Sequence, residues 1–169
     1  MSVEASVTPS HTVLLVDDDP RLAPLVTRLL GILGFASVEV APDAAAARAI
    51  LASTGIVLVI CDLALPGEDG LSLLRWVRGT DGLRNVPFIV TEETFSFEDV
   101  IAADELGADG ILLKPYDSEL FRTKIAAAVG GSARRRRKTR GERMPLEGNA
   151  AFAGSLWGLR ARMADGGTP

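Results

Sequence analysis

Short apolar runs alternate with helix-period segments over most of the chain. Val13, Leu14, Leu15 and Val16 form an unbroken apolar run that stops at Asp17, Asp18 and Asp19, which reads as a buried strand. Pro20 follows where a helix start accepts proline, with Asp19 as the cap. Leu22, Leu25, Val26, Leu29, Leu30 and Leu33 then recur on one helical face until Gly34 closes it. Ser37 to Val40 reads as a second strand, and Pro42-Asp43 opens an alanine-rich helix to about Ala52. Ile56 to Cys61 is apolar without alternation, as a central parallel strand covered on both faces requires, and ends at Asp62. A turn at Pro66 to Gly70 leads into a helix from Leu71 to Arg78. Pro87 to Val90 is a fourth strand ended by Thr91. Ser96 and Asp99 have capping-box spacing for a helix to about Leu106. Gly110 to Leu113 is a fifth strand ended by Lys114-Pro115. Asp117 caps a last helix, which Gly130-Gly131 are expected to stop.

Five strands alternating with five helices predict an α/β protein with a five-stranded parallel sheet and helices on both faces, doubly wound and flavodoxin-like. In such sheets ligands sit beyond the carboxyl ends of the strands. Here those ends carry Asp17, Asp18, Asp62, Thr91 and Lys114.

Composition narrows the chemistry. One cysteine and one histidine in 169 residues exclude a disulfide framework and any two-histidine metal site. Aromatics at 5% argue against a base-stacking surface. No apolar run approaches a membrane span, and Met1 to Thr12 lacks the basic and apolar regions of a secretory signal. A soluble cytoplasmic protein is expected. The net charge of −4 hides a split: residues 1–130 hold 9 basic and 19 acidic side chains, residues 131–169 hold 9 and 3. An acidic body with a basic tail marks an interaction segment. The expected division is a flexible start over 1–11, a domain over 12–130, and a mostly disordered basic tail over 131–169.

Three carboxylates at neighbouring strand ends stay ionised together only if a cation relieves their repulsion, and oxygen-only ligands favour Mg²⁺. A lysine and a threonine hydroxyl nearby complete the parts that hold a phosphoryl group, and an ionised Asp can accept it. The residues therefore predict Mg²⁺-dependent phosphoryl transfer to an aspartate.

Four motifs carry a resemblance to the receiver domain of two-component response regulators. They are Asp17-Asp-Asp-Pro20, Cys61-Asp62 through Asp69-Gly70, Phe88-Ile-Val-Thr91, and Gly107 through Lys114-Pro115, each at a strand end and in order. The resemblance covers about residues 12–130. It implies that Asp62 is the phosphoacceptor and that Asp17 and Asp18 form the acidic pocket. Asp18 would ligate Mg²⁺ directly with Asp62 and the carbonyl of Ala64. It implies Thr91 as switch hydroxyl, Lys114 as phosphate-binding lysine, and a cis Lys114-Pro115 peptide. It further implies a signalling switch and not a metabolic enzyme, fed by a sensor histidine kinase or histidine phosphotransfer protein. Its output would be a downstream protein bound on the face of the fourth helix, fifth strand and fifth helix, with homodimerisation on phosphorylation as a further mode.

The chain departs from the family pattern after Thr91, where Glu92 and Glu93 replace a small residue and are expected to slow small anionic donors. Three residues before Lys114 stands Ile111 in place of the family's Tyr or Phe, which leaves the usual hydroxyl-and-aromatic switch without its second member. Phe95 and Phe97 in the loop after Thr91 are candidates for that space. Two other functions fit single features. Asp17-x-Asp19 suits an Asp-nucleophile phosphohydrolase, although Pro20-Arg21 fits that family poorly. The run Arg134 to Lys138 suits a DNA-binding regulator, although nucleic acid is not the expected partner. Phe152, Leu156, Leu159 and Met163 suggest a short amphipathic helix near 150–163, which Gly154 and Gly158 weaken by about 1 kcal/mol each.

Overall fold

The structure is a computed structural model that describes residues 11–138 of the chain, with side chains to residue 131. Ten elements alternate along it: β1 (Thr12–Val16), α1 (Leu22–Ile32), β2 (Ser37–Ala41), α2 (Ala44–Ser53), β3 (Ile56–Asp62), α3 (Gly70–Gly79), β4 (Phe88–Glu92), α4 (Phe97–Glu105), β5 (Gly110–Leu113) and α5 (Ser118–Lys138). All strand pairs are parallel, in the order β2-β1-β3-β4-β5. The order reverses between β1 and β3, so the crevice that a doubly wound sheet offers to ligands opens above those two strands.

Burial follows the apolar pattern. Every residue of β1 is buried, and Leu58, Val59, Ile60 and Cys61 of β3 have no exposure. The edge strand β2 is mostly exposed. Val26 and Leu30 bury one face of α1, and Phe121 and Ile125 bury the corresponding face of α5. A buried leucine or phenylalanine contributes about 1.5–3 kcal/mol, so these strands and helix faces carry the stability.

The helix ends obey local chemistry. Asp43 caps α2 by accepting the Ala46 N–H at 2.8 Å, and Asp69 caps α3 through Ser72 at 2.7 Å. Ser96 and Asp99 close a full capping box on α4. After α1, Gly34 has φ +88° and donates to Gly31, while Phe35 donates to Leu30, which satisfies the last carbonyls of the helix. Pro24 is the third residue of α1, where its missing N–H costs no helical hydrogen bond.

Two expectations fail. Asp19 is not the cap of α1: its carboxylate accepts the Arg21 backbone N–H at 2.9 Å and forms a turn, and the helix begins at Leu22 with no side-chain cap. Gly130 and Gly131 do not stop α5, which runs on to Lys138. Neither glycine has a positive φ, and a glycine costs a helix only about 1 kcal/mol, which the good helix formers on both sides outweigh. Arg134 to Lys138 thus belong to a helix. Residues 1–10 and 139–169, including the segment near 150–163, lie outside the described residues. Among the described residues no helix is long and apolar enough to cross a membrane.

Candidate functional site

The ends of β1 and β3 meet first. Val16 pairs with Cys61, so the next residues, Asp17 and Asp62, emerge side by side. The Asp17 N–H donates to the Ala41 carbonyl at 3.0 Å, which ties it to β2 as well. Asp62 pairs in register with Thr91 on β4. The ladder continues past the strands: Leu63 donates to Thr91 and Lys114 to Glu92, each at 2.9 Å. Backbone pairing alone therefore lines up Asp17, Asp62, Thr91 and Lys114 across the sheet. Gly70 supports this from behind, because a Cβ there would collide with the Asp62 backbone carbonyl.

The side chains form a charged cluster of partial neutrality. Lys114 Nζ lies 2.6 Å from Asp17 Oδ2 and 3.2 Å from Asp62 Oδ2, with the ammonium largely buried. Carboxylate oxygens of Asp17, Asp18 and Asp62 lie within 4.8 Å of one another. Asp17 and Asp62 are buried and Asp18 is exposed. One lysine thus faces three carboxylates. Burial pushes the Asp62 carboxyl up from 3.8 to about 6; Lys114 works against this, and Asp17 and Glu92 add to it. Burial pulls the Lys114 ammonium down, but Asp17 and Asp62 win and hold it above its usual value.

Several polar atoms here have no partner. Asp62 Oδ1, Thr91 Oγ1 and the Tyr116 hydroxyl are all buried without a hydrogen bond. An unmet buried oxygen beside two further carboxylates is the donor set that a hard divalent cation prefers, so the cluster could hold a metal ion. Ala64 is exposed on the loop two residues beyond Asp62 and lines an open cleft of about 190 Å³ with Asp69, Glu92 and Asp99. The other end of that loop is held by Arg48, which donates to Glu68 at 2.6 Å and lies 5.4 Å from the Trp76 ring centroid. The Lys114-Pro115 peptide is cis, as expected.

A family model for the response regulator receiver domain matches residues 13–126. The chain belongs to that family. Among curated relatives, the receiver is 29% identical over 113 residues to the chemotaxis protein CheY of Pseudomonas aeruginosa, covering 67% of this chain and 91% of that one. It is 28% identical over 123 residues to chemotaxis protein CheY-3 of Vibrio cholerae, covering 73% and 95%. Its fold superposes on the signal receiver domain of an HD domain-containing protein from Pseudomonas fluorescens Pf-5 with a TM-score of 0.69 at 25% identity, covering 81% and 99%. The protein is thus a receiver of the two-component type, a family of signalling switches.

Asp19, the second acid of the Asp17-x-Asp19 arrangement, pairs its carboxylate with Arg21 at 2.9 Å. Of the two loop aromatics, Phe95 is buried and Phe97 is 56% exposed. A third aromatic, Tyr116, packs on Phe121 with ring centroids 5.5 Å apart and buries its hydroxyl. It follows directly on the Lys114-Pro115 motif, and its position two residues past the lysine was the available signal.

Proposed function

We propose that this receiver is a phosphoacceptor switch that takes a phosphoryl group on Asp62 from a phosphohistidine donor. The observation that carries the reading is the state of Asp62 itself. Its Oδ2 is held by Lys114, its Oδ1 is buried without a partner, and its acidity is weakened to about 6, which leaves a more basic and more nucleophilic carboxylate than an exposed Asp. In the transfer the carboxylate forms a P–O bond, the donor's P–N bond breaks, and the electron pair leaves with the imidazole nitrogen. Asp17, Asp18 and Asp62, with the Ala64 carbonyl, would hold Mg²⁺, whose charge offsets that of the incoming phosphoryl oxygens. Lys114 holds positive charge beside the same oxygens and keeps Asp17 oriented. Thr91 supplies a hydroxyl from the neighbouring strand.

The added charge of about −1.5 to −2 then draws hydrogen-bond donors inward and changes the face of α4, β5 and α5, where a downstream protein or a second copy binds. Phe97 and Ile101, one turn apart on α4 and both exposed, supply apolar surface on that face. The domain spans residues 12–130, with the basic segment beyond it as a tether for partners. The test is transfer from a phosphorylated histidine phosphotransfer protein in Mg²⁺. Label should leave the donor and appear on wild type in hydroxylamine-sensitive form. Label that stays on the donor, or transfers equally to Asp62→Ala, refutes the reading.

A further inference from the structure

The loop between β3 and α3 carries the Ala64 carbonyl, and its two ends are fastened differently from its middle. At its start the Leu63 N–H donates to Thr91, and the Leu63 carbonyl accepts both Leu65 and Gly70, at 2.9 to 3.1 Å. At its end Asp69 caps α3. Between them Ala64, Pro66 and Gly67 are exposed, and Gly67 has φ +82°. Glycine has more conformations open to it than any other residue, so this stretch needs an outside hold to stay in one. Arg48 supplies it, reaching from α2. Its two terminal nitrogens donate to the two carboxylate oxygens of Glu68, Nη1 to Oε2 at 2.6 Å and Nη2 to Oε1 at 2.5 Å. The guanidinium also lies over the Trp76 ring of α3, 5.4 Å from its centroid. A fork of two parallel bonds fixes direction as well as distance, and the ring limits where the fork can turn. Both partners are partly exposed, and such a pair contributes little to stability, so its consequence lies in what it positions.

We propose that Arg48 is a positioning residue for Mg²⁺: by clamping Glu68 it holds the β3–α3 loop in the arrangement that presents the Ala64 carbonyl together with Asp18 and Asp62. This rests on the reading of that cluster as the metal site of a phosphoacceptor. Mg²⁺ demands near-octahedral ligands at short range. A carbonyl on an unfastened loop must be ordered at the moment of binding, and that ordering is subtracted from affinity. Ca²⁺ tolerates more ligands and looser geometry, so the clamp favours Mg²⁺ over Ca²⁺. Charge alone gives the opposite sign. Arg48 is itself a cation, and its removal also uncovers the negative charge of Glu68. Acting only through its field, Arg48 would weaken the binding of any divalent cation, and its loss would tighten Mg²⁺ and Ca²⁺ alike. Acting as a clamp, its loss weakens Mg²⁺ selectively.

Calorimetric titration of the full chain with Mg²⁺ and, separately, with Ca²⁺ reads this difference in sign. Arg48→Met keeps an apolar stem to pack on Trp76 and loses the fork. It should bind Mg²⁺ about 3- to 10-fold more weakly, at or below the low end of what outer partners of metal ligands contribute, and Ca²⁺ less than about 2-fold more weakly. Its melting temperature in chelator should match wild type. Arg48→Lys keeps the charge and loses the planar fork, and should fall between Arg48→Met and wild type for Mg²⁺. Mg²⁺ bound by Arg48→Met as tightly as by wild type, or more tightly, overturns the inference. An equal loss for Mg²⁺ and Ca²⁺ overturns it too, as does an Arg48→Met protein that no longer folds in chelator, because the pair would then serve the fold and not the loop. Asp18→Asn separates the two levels: if it binds Mg²⁺ like wild type, the metal site itself lies elsewhere, whatever the Arg48 variants do.

Discussion

Two buried charge clusters sit at opposite ends of the same sheet, and they differ in how fully their atoms are used. At the amino ends of β4 and β5, Arg78 from the last turn of α3 donates to the Gly107 carbonyl at 2.9 and 3.0 Å, to the Val86 carbonyl at 2.8 Å and to Asp109 Oδ2 at 2.9 Å. Asp109 also accepts the Phe88 N–H at 2.9 Å. At the carboxyl ends, Asp17, Asp62 and Lys114 are buried to a similar degree, yet Asp62 Oδ1 and Thr91 Oγ1 go unmet and the carboxylates outnumber the lysine. The same residue types serve a structural end and a reactive end. What separates them is satisfaction: the Arg78 cluster closes strand starts and a helix end onto each other, whereas the Asp62 cluster has capacity left for a cation and a phosphoryl group.

That contrast predicts opposite responses to mutation. Arg78→Ala removes the ion pair to buried Asp109 and the donors to the Gly107 and Val86 carbonyls, and should cost roughly 3–5 kcal/mol of stability by urea denaturation. Asp62→Asn should do the reverse in chelator. Burial sets the folded Asp62 carboxyl near 6 against an ordinary 3.8, so the fold favours its protonated form. The associated stability is fully present below about pH 4 and is lost as pH rises through 6. Asp62→Asn should remove that decline and be the more stable protein at pH 7. Finding Arg78→Ala mild and Asp62→Asn destabilising at pH 7 would break the comparison.

Smaller effects sharpen it. Mg²⁺ at ten times its dissociation constant should stabilise wild type by about 1.4 kcal/mol, read as a higher melting temperature. Asp18→Asn should lose this response, and an equal shift in both proteins would move the cation elsewhere. Glu92 stands at the rim of the cleft with Asp69 and Asp99, and its charge raises the Asp62 carboxyl. Glu92→Ala should label about 2–3-fold faster with acetyl phosphate at low salt, the gain shrinking at high salt as screening takes over. A slower variant would show that Glu92 is no gate.

The reactive end was legible in the sequence because each of its residues follows an apolar strand, and strand ends of a parallel sheet share one edge. Asp17, Asp62, Thr91 and Lys114 needed only the order of elements to be placed together. The structural end was not legible. Arg78 reads as the last residue of a helix and Asp109 as one residue of the Gly107 to Pro115 motif, and nothing in their spacing tells that a 29- to 31-residue separation closes into hydrogen bonds. Tyr116 is hard to single out for a related reason: an aromatic in a loop has no periodicity, and its packing on Phe121 closes only in the fold. The stop expected at Gly130-Gly131 failed because glycine lowers helix propensity without forbidding a helix, unlike Gly34 and Gly107, whose positive φ does terminate α1 and α4.

The central claim is that the unsatisfied carboxylate at the reactive end is the one that takes the phosphoryl group. Intact-mass measurement after acetyl phosphate and Mg²⁺ tests it most directly. Wild type and Asp69→Ala should each gain one hydroxylamine-sensitive phosphoryl group, and Asp62→Ala should gain none. Full labelling of Asp62→Ala would contradict the account.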